Sequence, residues 1–220
     1  MRASGVPLTT TRIGSPYVIA ALEELRRSGF HRAVGWEANG GFLVGSAIDL
    51  GREPLAALPT RDAVLPILAN LTAARAAGVS LSSLWDRLPA RFGRAGLIDA
   101  IPVAESRALL ARLVPQGAVV DTDLKSGEHA AWRPSLLLLR EHFGARQGFG
   151  EPVRVNVLDG VRITFQNGDV VHLRPSGNAP QLRVYATADT EARADEIVTL
   201  CLKEPDGIVR ALLQGPGHMA

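Results

Sequence analysis

The 220 residues carry 24 basic against 22 acidic side chains, a formal charge of +2, and the arginines are scattered rather than clustered, which argues against a nucleic-acid footprint. Hydrophobic residues make up 46% and charged residues 21%, the composition of an ordinary globular chain of one large or two small domains. No apolar run approaches the ~18 residues of a membrane span, and the first ten residues lack the apolar stretch of a signal peptide, so a cytoplasmic protein is expected.

An extended piece precedes the first helix. Ser15-Pro16 reads as a helix N-cap followed by proline at N1. Val18, Ala21, Leu22 and Leu25 follow at helical spacing, with Gly29 as the stop. The apolar run Ala33-Val34-Gly35-Trp36 leads into a loop, Glu37-Ala38-Asn39-Gly40-Gly41, and Phe42-Leu43-Val44 reads as a strand. Thr60 is expected to cap a second helix that Pro66 bends, and Ser80 a third. A fourth helix is expected over residues 106–113. Up to about residue 95, strands alternate with helices, which predicts a three-layer α/β unit.

The rhythm then changes. Residues 153–157 and 161–165 alternate apolar with polar, and Asn167-Gly168 is a hairpin signal because both residues tolerate positive φ. Residues 170–173 and 182–185 read as further strands, and Ala194, Ile197, Val198 and Cys201 form one stripe of a closing helix. The fold class is therefore α/β followed by α+β, with the boundary drawn between 97 and 98, near the presumed turns at Gly93 and Gly96. The single cysteine, Cys201, reads as a buried small side chain.

Two loops carry chemistry. Arg174-Pro175-Ser176-Gly177-Asn178-Ala179-Pro180 interrupts two strands. Arg174 offers a planar fork of donors suited to phosphate oxygens. Ser176 and Asn178 add neutral donors, Gly177 lets backbone N–H groups approach an anion, and Arg183 brings a second guanidinium. The same residues also fit an ordinary turn between strands. In residues 37–41 a carboxylate and an amide two positions apart can accept from and donate to vicinal hydroxyls, and that loop too fits a plain polar turn.

The segment from Arg174 to Tyr185 resembles the α-D-phosphohexomutase phosphate signature Arg-x-Ser-Gly-Thr-Glu-Pro-x-Leu-Arg-Val-Tyr, with Asn178 in place of threonine and Ala179 in place of glutamate. Asp159-Gly160-Val161-Arg162-Ile163 resembles its lead-in. Residues 35–41 resemble the family's sugar-specificity loop, often Gly-Glu-x-Ser-Gly-His, with Asn39 in place of serine and Gly41 in place of histidine. Thr11-Arg12-Ile13-Gly14-Ser15 is similar to a segment bordering the family's active site, and Thr60-Arg61-Asp62 to the start of the helix after the sugar loop, read as structural.

The resemblance implies the carboxy-terminal portion of a phosphomannomutase or phosphoglucomutase. Residues 1–97 correspond to the end of the third, α/β domain and residues 98–220 to a small C-terminal β-sheet/helix domain. Glu37, Asn39 and Gly40 are implied to bind the sugar, Glu37 and Asn39 at the hydroxyls of carbons 3 and 4. Arg174, Ser176, Gly177, Asn178 and Arg183 are implied to bind phosphate, and Arg12 and Ser15 to border the site. The expected partners are mannose or glucose 1- and 6-phosphates, with no nucleic acid and no membrane.

The family's phosphoserine loop and its Asp-Gly-Asp-x-Asp-Arg magnesium loop have no counterpart here. Mg²⁺ is thus expected for a complete family enzyme, without ligands in this chain. Asp121-Thr122-Asp123 reads as a solvated strand end, and the five histidines show no metal-ligand spacing. The chain is expected to carry no catalytic residue and to be inactive alone. A non-catalytic sugar-phosphate module, or one half of a split mutase completed by a separate N-terminal chain, are the alternatives.

Overall fold

The computed structural model describes residues 5–37, 39–51, 53–125, 130–177 and 179–214. They form two compact units that divide between Pro89 and Ala90.

In the first unit, helix α1 (Ser15–Arg27) precedes a three-stranded antiparallel sheet in the order β1 (Val34–Trp36), β2 (Phe42–Val44), β3 (Leu58–Asp62). Helices α2 (Val64–Ala77) and α3 (Leu81–Trp85) follow. Val18 and Leu22 of α1 pack with Leu43 of β2 as the core of this unit. Gly35 permits that contact: a Cβ there would fall 2.4 Å from a Val18 methyl.

Two cap assignments need correcting. Ser15 is the first helical residue, because Gly14 at φ 131° takes the N-cap position; a side chain is rarely tolerated at that angle. Thr60 lies in β3, and the side chain of Asp62 instead accepts from the backbone N–H of Val64, at 2.7 Å, and of Leu65. Pro66 then sits in the first turn of α2, where a missing N–H costs the ladder nothing. Ser80 caps α3 as expected, accepting from Ser83 N–H at 3.1 Å.

The second unit is a six-stranded antiparallel sheet. Its order is β4 (Phe92–Ile98), β9 (Leu182–Ala188), β8 (Val170–Pro175), β7 (Val161–Phe165), β6 (Pro152–Asn156), β5 (Asp121–Asp123). Helices α4 (Val103–Arg112), α5 (Arg133–His142), α6 (Glu191–Leu202) and α7 (Ile208–Gln214) complete it. Strand β9 shows why the sheet is one-sided. Leu182, Val184, Ala186 and Ala188 are buried, while Arg183, Tyr185 and Thr187 between them are half-buried on the other face.

The presumed turns at Gly93 and Gly96 are interior to β4, which pairs with β9 from Phe92↔Ala188 to Ile98↔Leu182 and spans both sides of the 97/98 line drawn from sequence. Gly96 is there because α6 crosses it: a Cβ would stand 2.3 Å from Leu202 Cδ1. Helix α4 starts at Val103 rather than 106, and Ser106 is buried within it. Among the described residues, no helix is long and apolar enough to cross a membrane.

Candidate functional site

Each unit presents one of the two loops. In the first, the turn after β1 is closed by its own backbone: Glu37 N–H donates to the Gly41 carbonyl at 2.8 Å, and Gly40 N–H to the Glu37 carbonyl at 3.0 Å. Gly40 adopts φ 91°, where a glycine is favoured. Asn39 is exposed, and its Oδ1 accepts from Gly41 N–H at 3.1 Å, so its amide NH₂ is the part left to donate outward.

Glu37 is buried, its side chain only 4% exposed, and Oε2 lies 2.7 Å from Arg61 Nε on β3. The pair is close in charge yet badly aimed. No N–H points at Oε2, which remains a buried oxygen without a directed hydrogen bond. Alignment, not distance alone, decides whether a lone pair is satisfied. Arg61 Nη2 also donates to Ser15 Oγ at 3.3 Å. Arg12 lies over the ring of Tyr17, 5.9 Å from its centroid.

In the second unit, the register of β8 and β9 sets Arg174 directly opposite Arg183. Arg174 Nε pairs with Asp159 Oδ2 at 2.8 Å, both side chains being largely shielded. Asp159 reaches it through a turn that needs glycine: Gly160 has φ 84°, and a Cβ there would lie 2.3 Å from the Leu173 carbonyl oxygen. His172 fixes the same turn, its Nε2 standing 2.5 Å from the Asp159 carbonyl. Burial holds the His172 imidazole below its ordinary pKa, against the raising effect of that hydrogen bond, and Arg162 and Arg174 add to the depression. The ring therefore acts as a neutral donor through Nε2–H.

Arg183 has no such neutraliser. Its Nε is buried without a hydrogen-bond partner, and it forms no ion pair among the described residues. Ser176 is buried, and its backbone N–H is taken by the Gln181 carbonyl at 2.8 Å. Gly177 is exposed, and a Cβ there would meet nothing within 4 Å, so its bare backbone is open from solvent. Asn178 lies outside the described residues.

Residues 1–92 match the family model described as Phosphoglucomutase/phosphomannomutase, alpha/beta/alpha domain III, and residues 125–201 match Phosphoglucomutase/phosphomannomutase, C-terminal domain. The chain belongs to the phosphoglucomutase/phosphomannomutase family. The phosphomannomutase of Sinorhizobium fredii (strain NBRC 101917 / NGR234) is 40% identical over 198 residues, which cover 89% of this chain and 37% of the relative. The phosphomannomutase of Salmonella muenchen is 39% identical over 194 residues, 87% of this chain and 35% of the relative. The chain thus spans little more than a third of the length of these curated relatives.

For a family whose complete members are expected to use Mg²⁺, the acidic residues here are a poor match. Among the described residues, no three His, Cys, Asp or Glu side chains gather to hold a metal ion. Asp121 is gripped by both Nε and Nη2 of Arg154, and Asp123 accepts from Lys125 N–H at 2.8 Å. These carboxylates serve strand β5. Arg61, read from the sequence as structural, stands beside Glu37 in the fold. Its only linear signal is a basic residue in a strand, and its approach to Glu37 depends on how β2 and β3 pair.

Proposed function

We propose that this chain is the sugar- and phosphate-recognising portion of a phosphomannomutase/phosphoglucomutase, an enzyme interconverting hexose 1- and 6-phosphates by intramolecular phosphoryl transfer. The first unit reads hydroxyl groups through Glu37, Asn39 and the Gly40 turn, with Arg12 and Ser15 at its border. The second unit holds phosphate through Arg174, Ser176, Gly177, Asn178 and Arg183. Phosphoryl transfer asks the protein mainly for positioning and charge stabilisation, and these groups supply both without forming a bond to the substrate.

The observation that carries this reading is the arginine pair across β8 and β9. Like charges directly opposite in a sheet repel. Asp159 neutralises Arg174, but the half-buried Arg183 keeps a donor with no acceptor. A phosphate dianion seated against this guanidinium cancels the repulsion, at ~1.5–3 kcal/mol for each charge-assisted hydrogen bond.

The sequence holds no phosphoserine loop and no Asp-Gly-Asp-x-Asp-Arg loop. We therefore infer that turnover requires the portion found in the longer relatives, whether in the same polypeptide or as a separate N-terminal chain, and that Mg²⁺ belongs to that portion. The setting in this reading is the cytoplasm. Calorimetric titration tests it. Mannose 6-phosphate and glucose 6-phosphate bind the purified chain, Arg183→Ala weakens both by about tenfold or more, and neither is converted to its 1-phosphate. Binding unaffected by Arg183→Ala, or conversion by the chain alone, contradicts the reading.

A further inference from the structure

Three features of the first unit converge on one side chain, Arg61, that the resemblance marks only as structural. The first is the buried Glu37 Oε2, which lacks a directed hydrogen bond although Arg61 Nε is 2.7 Å away. The second is the course of the Arg61 side chain. A Cβ built on Gly41 would stand 3.1 Å from Arg61 Cγ, 3.2 Å from Arg61 Cδ and 3.0 Å from Glu37 Oε2. The stem of Arg61 therefore crosses the loop through the space that a side chain at position 41 would fill. Gly41 does not have a positive φ, so the backbone makes no demand for glycine; the room for Arg61 does. The third is that Arg61 binds on two sides and remains open on another. Nε faces Glu37, Nη2 donates to Ser15 Oγ, and the side chain is 54% exposed.

We propose that Arg61 is a sugar-binding residue of this loop, delivered from β3, and that Gly41 is the vacancy which admits it. The inference rests on the reading of residues 37–41 as a hydroxyl-binding loop. Glu37 accepts from one hydroxyl of a vicinal pair through its carboxylate, and Arg61, 54% exposed, donates to the neighbouring hydroxyl oxygen through the nitrogens that Glu37 and Ser15 leave open. An acceptor and a donor side by side suit a diol, since each hydroxyl both gives and takes a hydrogen bond. The position where the resembled loop often carries histidine is the one that Arg61 fills from outside. A cationic donor thus reaches the loop although position 41 itself carries only glycine.

The test is a compensation cycle on the full chain, with mannose 6-phosphate and inorganic phosphate as calorimetric probes and a thermal melt on each variant. Arg61→Ala weakens mannose 6-phosphate by about tenfold or more and leaves inorganic phosphate unchanged. Gly41→His alone also weakens the sugar phosphate, because imidazole and guanidinium compete for one space. The double variant Gly41→His, Arg61→Ala binds it more tightly than Arg61→Ala does, a recovery that a merely structural arginine does not produce. Arg61→Lys, which keeps the charge and the stem, falls between wild type and alanine and serves if the alanine variant melts early.

A double variant no better than Arg61→Ala, or Arg61→Ala binding mannose 6-phosphate like wild type, overturns the inference. Glu37→Gln separates the two levels. If it weakens mannose 6-phosphate while the Arg61 variants do not, only the role of Arg61 falls. If Glu37→Gln has no effect either, the sugar-loop reading falls with it.

Discussion

Asp159 and Glu37 play the same part in different units: each carboxylate lies close to an arginine Nε, 2.8 Å from that of Arg174 and 2.7 Å from that of Arg61. A carboxylate in that place offsets the guanidinium charge and restrains the planar fork. Around Arg174 the support continues into His172, whose neutral ring holds the Asp159 turn. His142 on α5 is likewise depressed by burial, with Arg112 lowering and Glu141 raising its pKa. Both histidines protonate more readily in the unfolded chain than in the fold. Below their unfolded value of about 6.5 the unfolded state therefore binds more protons, and stability falls as the pH drops through that range. Urea midpoints are expected to decline from about pH 7.5 to about pH 5.5, and His142→Gln is expected to flatten the decline. A midpoint that rises on acidification over this range contradicts both depressed values. Arg174 and Glu37 stood out in the sequence, but the pairing of Asp159 with Arg174 and of Arg61 with Glu37 was not assigned, because pairing across strands is invisible in linear order.

At the scale of elements, the strands of the second unit were the most legible feature. Alternation over residues 161–165 and the Asn167-Gly168 turn correspond to β7 and the hairpin to β8. Strand β4 was missed because Gly93 and Gly96 read as turn residues, whereas the structure uses Gly96 to let α6 lie close on the sheet. Helices α5 and α7 were missed too, and their apolar residues Leu139 and Leu212 are fully buried in the shared core. The turn between β6 and β7 is the element that holds Arg174 of β8, through Asp159. Gly160→Ala places a Cβ against the Leu173 carbonyl at a φ that alanine disfavours, so a loss of about 1–3 kcal/mol is expected in denaturant titration. Phosphate affinity is expected to fall with it, as Asp159 swings away from Arg174. A Gly160→Ala variant as stable as wild type contradicts the tight turn.

At the scale of the molecule, the two units differ in how much they bury. The second has a continuous core running from Ile98 on β4 to Leu212 on α7, including the packed rings of Phe143, Phe149 and Phe165. The first has the small cluster of Val18, Leu22 and Leu43, while Val64, Ile67, Leu68 and Leu71 of α2 are exposed. Fewer buried apolar contacts mean cheaper local opening. Amide exchange is expected to be fast through α2 and α3 and slowest in β7, β8 and β9. Equal protection of α2 and β8 contradicts this division.

The amino-acid order alone determined the family and the fold class of each half, and it marked the two loops proposed for recognition. Those depend on residue types at short spacing, on φ preferences and on hydrophobic period, all local properties of the chain. What only the tertiary structure decided is which charges meet. The opposition of Arg174 and Arg183, the hold of Asp159 on Arg174, and the passage of Arg61 over Gly41 to Glu37 arise from strand register and from the absence of a single Cβ. Register is set by the packing of a whole face, so no window of sequence contains it.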